Sequence, residues 1–277
     1  ITKRIVATLP THPSKFLVPN IEIIHDRMSI EIMRGCTRGC RFCHAGMVNR
    51  PVRQRSVEEI IPVIKDGTNA TGFEEVGLLS LSSSDHTQIL ELTQKVHENF
   101  QDRKLSFSLP SLRIESFSIK LMDELKELKP GGGFTLAPEA ATERMRAVIN
   151  KPLDNDDFYQ TVTNIFENGW RSIKLYYMIG LPTETMEDVE AILQAAIKVR
   201  QIGKRIIGNS VKIHVGIASL IPKPHTPFQW LPVQSPQLIQ EKLDLLKVVA
   251  ATTAEVGKNA AGLFGLRDQL APQLGCF

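Results

Sequence analysis

A chain of 277 residues is long enough for one α/β barrel or two smaller domains, and an apolar fraction of 42% supports a large buried core. No stretch of about 18 uninterrupted apolar residues exists, which argues against a membrane span, and a net charge of +3 is too small to imply a nucleic-acid partner. Four cysteines, three of them clustered, argue against a disulfide scaffold and for a reducing cytoplasm.

The chain begins at Ile1 without Met and reads as a piece of a longer polypeptide. Residues 1–29, rich in Pro and His, read as an extended lead-in that wraps the folded core. From residue 30 onward, strand-like and helix-like segments alternate, the pattern of βα units with parallel strands. Candidate strands cover 30–34, 76–82, 105–109, 134–138, 173–179 and 212–220. Between the first two, Ser56-Val-Glu-Glu59 is a capping box, and Val57, Ile60, Ile61 and Ile64 make one apolar helix face. Pro62 within that helix predicts a kink. Leu92, Val96 and Phe100 line a second helix, and Leu121, Met122, Leu125 and Leu128 a third that ends at Pro130-Gly-Gly-Gly133. Phe158, Val162, Ile165 and Phe166 line a fourth, with Gly169 as its stop. Val189, Ile192, Leu193, Ala196 and Ile197 line a fifth. Ser235-Pro236 opens a last helix with an N-cap and a proline at the first helical position. Six βα units without a seventh and eighth predict an α/β fold that is an open, partial (β/α)6 TIM-like barrel over residues 30–256. Residues 257–277 then form a tail or the start of a following region.

The chemistry lies after the first strand, in Cys36-Thr-Arg-Gly-Cys40-Arg-Phe-Cys43. Three soft thiolates on one short loop suit an iron–sulfur cluster and leave one iron without a protein ligand. Two other readings compete. Cys40-Arg-Phe-Cys43-His44 also spells a c-type haem attachment pattern, which requires an oxidising compartment and leaves Cys36 unexplained. A structural zinc site would need His44, whose neighbour Cys43 cannot easily point at the same tetrahedral centre, or Cys276, almost a whole chain away. Around the loop crowd Arg34, Arg38, Arg41, Arg50, Arg53 and Arg55. They either compensate an anionic cluster or steer a phosphate- or carboxylate-bearing substrate.

The CxxxCxxC spacing, with aromatic Phe42 before the last cysteine, resembles the cluster loop of the radical SAM (S-adenosylmethionine) superfamily. The resemblance runs from about residue 29 to about residue 230 and implies the partial-barrel fold. It also implies a [4Fe-4S] cluster on Cys36, Cys40 and Cys43 whose open iron chelates S-adenosylmethionine, and reductive cleavage to a 5′-deoxyadenosyl radical. Cluster potentials reaching about −700 mV make such an electron transfer accessible.

The same resemblance assigns cofactor contacts to the other strand ends. At the second, Ser80-Leu-Ser82-Ser83-Ser84-Asp85 stands where the family carries a Gly-Gly-Glu-like run. The backbone of Ser80 to Ser82 is expected at the cofactor's amino group, with Ser84 or Asp85 capping the next helix. Arg113, after the third strand, can pair with the cofactor carboxylate. The fourth strand leads to Ala137-Pro-Glu139 and then Val148-Ile-Asn-Lys151, so Glu139 is expected at the ribose or amino end and Lys151 at the carboxylate. After the fifth, Gly180-Leu-Pro182-Thr-Glu184-Thr185 reads first as turn chemistry, with Thr183 or Thr185 capping a helix and Tyr176 or Tyr177 toward substrate. After the sixth, the backbone of Ser219, Leu220 and Ile221 is expected at the adenine.

These motifs resemble the methylthiotransferase-like and cobalamin-associated branch, within an uncharacterised subfamily. The branch implies a flavodoxin or ferredoxin reductant and a substrate among RNA, protein and metabolites. Cobalamin would bind through a domain outside this sequence. A methylthiotransferase proper would need a second three-cysteine set, also outside it. A non-catalytic iron–sulfur module that transfers electrons or binds RNA is the alternative.

Overall fold

The computed structural model describes residues 4–103, 105–109, 114, 119–128 and 133–252. The chain divides into two compact parts, one made of residues 1–132 and 223–230, the other of residues 133–222 and 231–277.

The first part is built on strands β1 (Met28–Glu31), β2 (Met33–Arg34), β3 (Arg53–Gln54), β4 (Glu75–Leu79) and β5 (Ser106–Ser108). Its helices are α1 (His44–Val48), α2 (Val57–Thr71), α3 (Ile89–Phe100) and α4 (Ile119–Leu128). β1, β4 and β5 form a parallel sheet in that order, with Met28 opposite Val76 and Val76 opposite Phe107. Parallel neighbours require crossovers, and α2 and α3 supply them. Val57, Ile60 and Ile64 of α2 are buried, as are Leu92, Val96 and Phe100 of α3. Each set recurs at helical spacing, so one stripe faces the core. Ser56 caps α2 in a complete capping box with Glu59, and the helix runs through Pro62 to Thr71. Gly67 lets α2 come close to β1, since a Cβ there would collide with Met28 and Phe16.

Where one strand is expected over 30–34, two are found. β1 ends at Glu31; Ile32 then donates to Leu79 and accepts from Arg55, and β2 pairs antiparallel with β3. The interruption precedes a left-handed turn at Gly35, φ +89°, where an added Cβ would lie 2.7 Å from the Asn49 carbonyl oxygen. Residues 4–27 hold no regular structure. They are tied to their part of the molecule through His12 Nε2, which accepts from Glu31 N–H, and through the Val6 carbonyl, which accepts from Arg53.

The second part holds β6 (Phe134–Glu139), β7 (Ser172–Ile179) and β8 (Lys212–Ser219), parallel and in that order. Its helices are α5 (Glu143–Val148), α6 (Asn155–Glu167), α7 (Met186–Ile207) and α8 (Pro236–Thr252). β7 alternates strictly, with Ile173, Leu175, Tyr177 and Ile179 buried and the residues between them more exposed. Phe158, Val162, Ile165 and Phe166 of α6 and Val189, Ile192, Leu193 and Ala196 of α7 are buried. Phe134 meets Trp170 edge-on at 4.5 Å. Thr185, not Thr183, caps α7, in a capping box with Asp188. Thr183 instead takes a left-handed turn, φ 61°. Ser235 Oγ accepts from Leu238 N–H and starts α8 after Gln234, as its sequence predicts.

Candidate functional site

The cysteine loop leaves β2 through the Gly35 turn. Cys36 is buried, Cys40 and Cys43 are half-buried, and all three are free thiols. Cys36 Sγ accepts from Arg38 N–H at 3.4 Å and Cys43 Sγ from Gly46 N–H at 3.3 Å. Cys43 is the N-cap of α1, and a Cβ on Gly46 would press on its sulfur at 3.3 Å. The donor set therefore suits an iron–sulfur cluster: soft, free, partly reachable and already hydrogen-bonded. Among the described residues no three His, Cys, Asp or Glu side chains converge on the position of a single metal ion. Phe42 is half-buried beside the last cysteine.

Two further segments come to this loop. Phe228 N–H donates to the Arg41 carbonyl at 3.3 Å, and the His225 and His44 rings lie 6.2 Å apart, so residues 223–230 pack on it. Arg38 Nε lies 4.0 Å from Asp85 Oδ2, which links it to the turn after β4. In that turn Ser80 Oγ meets Ser83 Oγ at 2.9 Å, and Ser82 Oγ donates to Asp85 at 2.7 Å. Ser82 and Ser83 are wholly buried. The expected capping of the following helix by Ser84 or Asp85 is not found. Both lie inside a 3-10 turn, Ser83–Asp85, and α3 starts after Gln88, which gives no side-chain cap. Asp85 is occupied by Ser82, and the turn closes on itself.

The arginines near the loop have different roles. Arg34 grips Glu31 with two hydrogen bonds, 2.7 and 2.6 Å, which hold the Glu31 carboxyl below the usual carboxylate range. Arg55 is buried and donates to the Glu31 carbonyl at 2.9 Å. Arg53 donates to the carbonyls of Val6, Pro51 and Asn49. These three build the scaffold. Arg38, Arg41 and Arg50 are exposed.

The second part of the molecule contributes the end of β6. The register with β7 slips between Leu136 and Glu139, and Glu139 adopts φ 67°, a conformation disfavoured for a residue with a Cβ. Lys151 Nζ donates to the Ala137 carbonyl and, at 3.3 Å, to Glu139 Oε1. The structure thus brings Glu139 and Lys151 together, 12 positions apart in sequence. Arg146 makes this end rigid. It is fully buried and donates to the carbonyls of Leu153, Ala140 and Ala141. Nothing in its sequence context singles it out, because a helical Arg ordinarily faces water. Tyr177, opposite Glu139 on β7, is buried, its hydroxyl has no hydrogen-bond partner among the described residues, and burial pushes its pKa up. Tyr176 is exposed.

The turn after β7 is held from α8. Glu184 accepts from Gly180 N–H at 2.8 Å and from Leu181 N–H, while Lys242, buried, donates to Glu184 at 2.5 Å and to Gln234 at 2.7 Å. Leu220 is buried and donates from its N–H to the Ile179 carbonyl at 2.8 Å, continuing the β7–β8 ladder past its last pair. Arg113 lies outside the described residues.

With this geometry in place, the family model of the radical SAM superfamily matches residues 30–196. The chain belongs to the radical SAM superfamily. Among curated proteins it is 34% identical over 201 residues to an uncharacterised protein of Methanocaldococcus jannaschii, covering 72% of this chain and 42% of that one. It is 24% identical to the ribosomal protein uS12 methylthiotransferase RimO of Leptospira biflexa, over 60% of this chain and 38% of that protein. The chain thus spans about two fifths of the length of these relatives. Among solved structures, a radical S-adenosylmethionine methyltransferase, TsrM, from Kitasatospora setae matches with a TM-score of 0.59 at 16% identity, over 73% of this chain and 37% of that one. That likeness concerns the fold, the α/β partial barrel of radical SAM enzymes. Among the described residues no helix is long and apolar enough to cross a membrane.

Proposed function

We propose that this chain is the catalytic core of an enzyme that cleaves S-adenosylmethionine reductively, with Cys36, Cys40 and Cys43 holding a [4Fe-4S] cluster. When bound, that cluster supplies the electron that splits the sulfonium into methionine and a 5′-deoxyadenosyl radical. The observation that carries the reading is the cysteine loop: three free thiols within one turn of chain, two of them already accepting backbone N–H bonds.

The chain's own groups then have separable tasks. Gly35 sets the loop's exit from β2, and Phe42, before the last cysteine, contacts the cofactor. Lys151 and Glu139 present a cation and a carboxylate at the end of β6, suited to the carboxylate and to the amino or ribose end of the cofactor. The backbone at Ser80 and Ser82 takes the amino group, Arg113 the carboxylate, and the backbone around Leu220 the adenine. An acidic one-electron carrier, flavodoxin or ferredoxin, is the reductant. Residues 30–256 form the catalytic domain, residues 1–29 its lead-in and residues 257–277 a tail or the start of a following region. Cobalamin enters only through a domain beyond this sequence.

The experiment is anaerobic reconstitution with iron and sulfide, followed by dithionite and S-adenosylmethionine. Release of 5′-deoxyadenosine is expected, and Cys40→Ala removes both the brown colour and the product. An intact cluster that releases none would favour the non-catalytic electron-transfer or RNA-binding module. Colourless protein holding zinc would remove both readings.

A further inference from the structure

In the second part, neighbouring strands β7 and β8 expose side chains next to one another. On β7, Lys174 and Tyr176 are exposed between buried Ile173, Leu175 and Tyr177. On β8, Lys212 and His214 are exposed on either side of buried Ile213. The register sets Lys174 opposite His214 and Tyr176 opposite Gly216. Directly opposed residues in a ladder stand about 5 Å apart, so the Lys174 and His214 side chains share one spot. The Tyr176 ring leans across onto Gly216, where an added Cβ would lie 2.8 Å from Cδ1 and Cε1. Lys174 Nζ sits 4.9 Å from the centroid of the same ring. Neither strand carries an acid. An aromatic ring seated over a glycine, next to basic groups with no carboxylate on either strand, is the composition that binds a flat ring joined to an anion.

We propose that this face binds a nucleotide unit, its base stacked on Tyr176 and its phosphate held by Lys174, His214 and Lys212. The side chain of Lys174 is long enough to leave the ring for the phosphate, and Gly216 keeps the ring in place by offering no side chain against it. As the substrate face of an enzyme the proposal rests on the function proposed above; as a binding site it does not. The nucleotide is either free or part of an RNA chain, and the two share this recognition.

The test is equilibrium binding to the cluster-loaded protein with S-adenosylmethionine saturating, so that the cofactor's own adenine subsite is filled. The probes are adenosine monophosphate, adenosine, inorganic phosphate and a single-stranded RNA hexamer. The monophosphate is expected to bind at least about tenfold more tightly than adenosine or phosphate alone. Tyr176→Ala should weaken it about 5- to 150-fold, the range that base stacking on an aromatic side chain gives on alanine substitution, and Tyr176→Phe should retain it. Gly216→Val, which displaces the ring without removing it, should behave like Tyr176→Ala. Lys174→Ala combined with His214→Ala should weaken binding and flatten its salt dependence. An RNA hexamer bound far more tightly than the monophosphate, with a steep salt dependence, identifies an RNA; equal affinities identify a free nucleotide. Binding unchanged in all these variants, or no saturable binding of any probe, overturns the proposal. Release of 5′-deoxyadenosine, scored on the same preparation, keeps the two readings apart. If it persists while no probe binds, the enzyme stands and this face does not; if it is absent while the monophosphate binds, the reverse holds.

Discussion

The cysteine loop and the end of β6 solve the same problem, holding reactive groups still, by opposite means. The loop is short and covalently close: its three cysteines lie within eight residues, and its order comes from backbone N–H groups on sulfur and a glycine turn. At the β6 end the groups are distant in sequence, and a buried guanidinium ties the intervening carbonyls together. The lesson is that chemistry carried by spacing shows in sequence, whereas chemistry carried by burial must wait for the fold.

Breaking the second arrangement should cost more stability than breaking the first. Arg146→Ala leaves three carbonyls that Arg146 now satisfies without a donor, at about 1 kcal/mol or more each, so anaerobic urea unfolding should show a loss of about 3 kcal/mol or more. Arg146→Lys, lacking the planar fork, should recover only part of it. Lys242→Met leaves the Glu184 carboxylate buried without its cation, and a loss of about 3 kcal/mol is expected from the same measurement. A result near zero would show that Gly180 and Leu181 N–H alone suffice for Glu184.

Gly35→Ala attacks the loop instead. A left-handed residue with a Cβ costs about 1–2 kcal/mol, and here the Cβ also meets the Asn49 and Pro51 carbonyls. Iron content after reconstitution should fall well below that of the parent protein while the circular dichroism of the helices is kept. Full iron loading would show that the loop tolerates another exit from β2.

The smallest effect is on pH dependence. His86 is buried, and burial lowers its pKa below the ordinary value of about 6.5. Its Nε2 faces the Arg55 carbonyl at 3.0 Å and its Nδ1 accepts from Gln88 N–H, a fit for the neutral ring. The unfolded chain therefore binds more protons below about pH 6.5, and stability falls as pH drops through that value toward the folded pKa. His86→Gln should flatten this slope between pH 7.5 and 5.5. An unchanged slope would assign the acid sensitivity elsewhere.

The strands were legible because apolar alternation bounded by turn residues survives folding intact: the stretches expected over 134–138 and 173–179 appear as Phe134–Glu139 and Ser172–Ile179. The break between β1 and β2 was not, since Ile32 continues the apolar alternation from Ile30 and only the left-handed Gly35 and the partner strand β3 reveal the change of direction. The serine turn misled for a related reason. Ser84 and Asp85 have the chemistry of caps, but Ser82 engages Asp85 before α3 begins. The spacing of Cys36, Cys40 and Cys43 carried the resemblance to the radical SAM superfamily, which the family match over residues 30–196 bears out. The pairing of Lys151 with Glu139 follows from the left-handed turn at Glu139 and the buried Arg146, neither of which has a sequence signature.

Electron paramagnetic resonance of the reduced, reconstituted protein, recorded before and after S-adenosylmethionine is added, asks most directly whether the cluster keeps a corner open. A signal of a one-electron-reduced four-iron centre that shifts on addition of the cofactor is the outcome this account predicts. A signal indifferent to the cofactor, from a centre whose irons all have protein ligands, would contradict it.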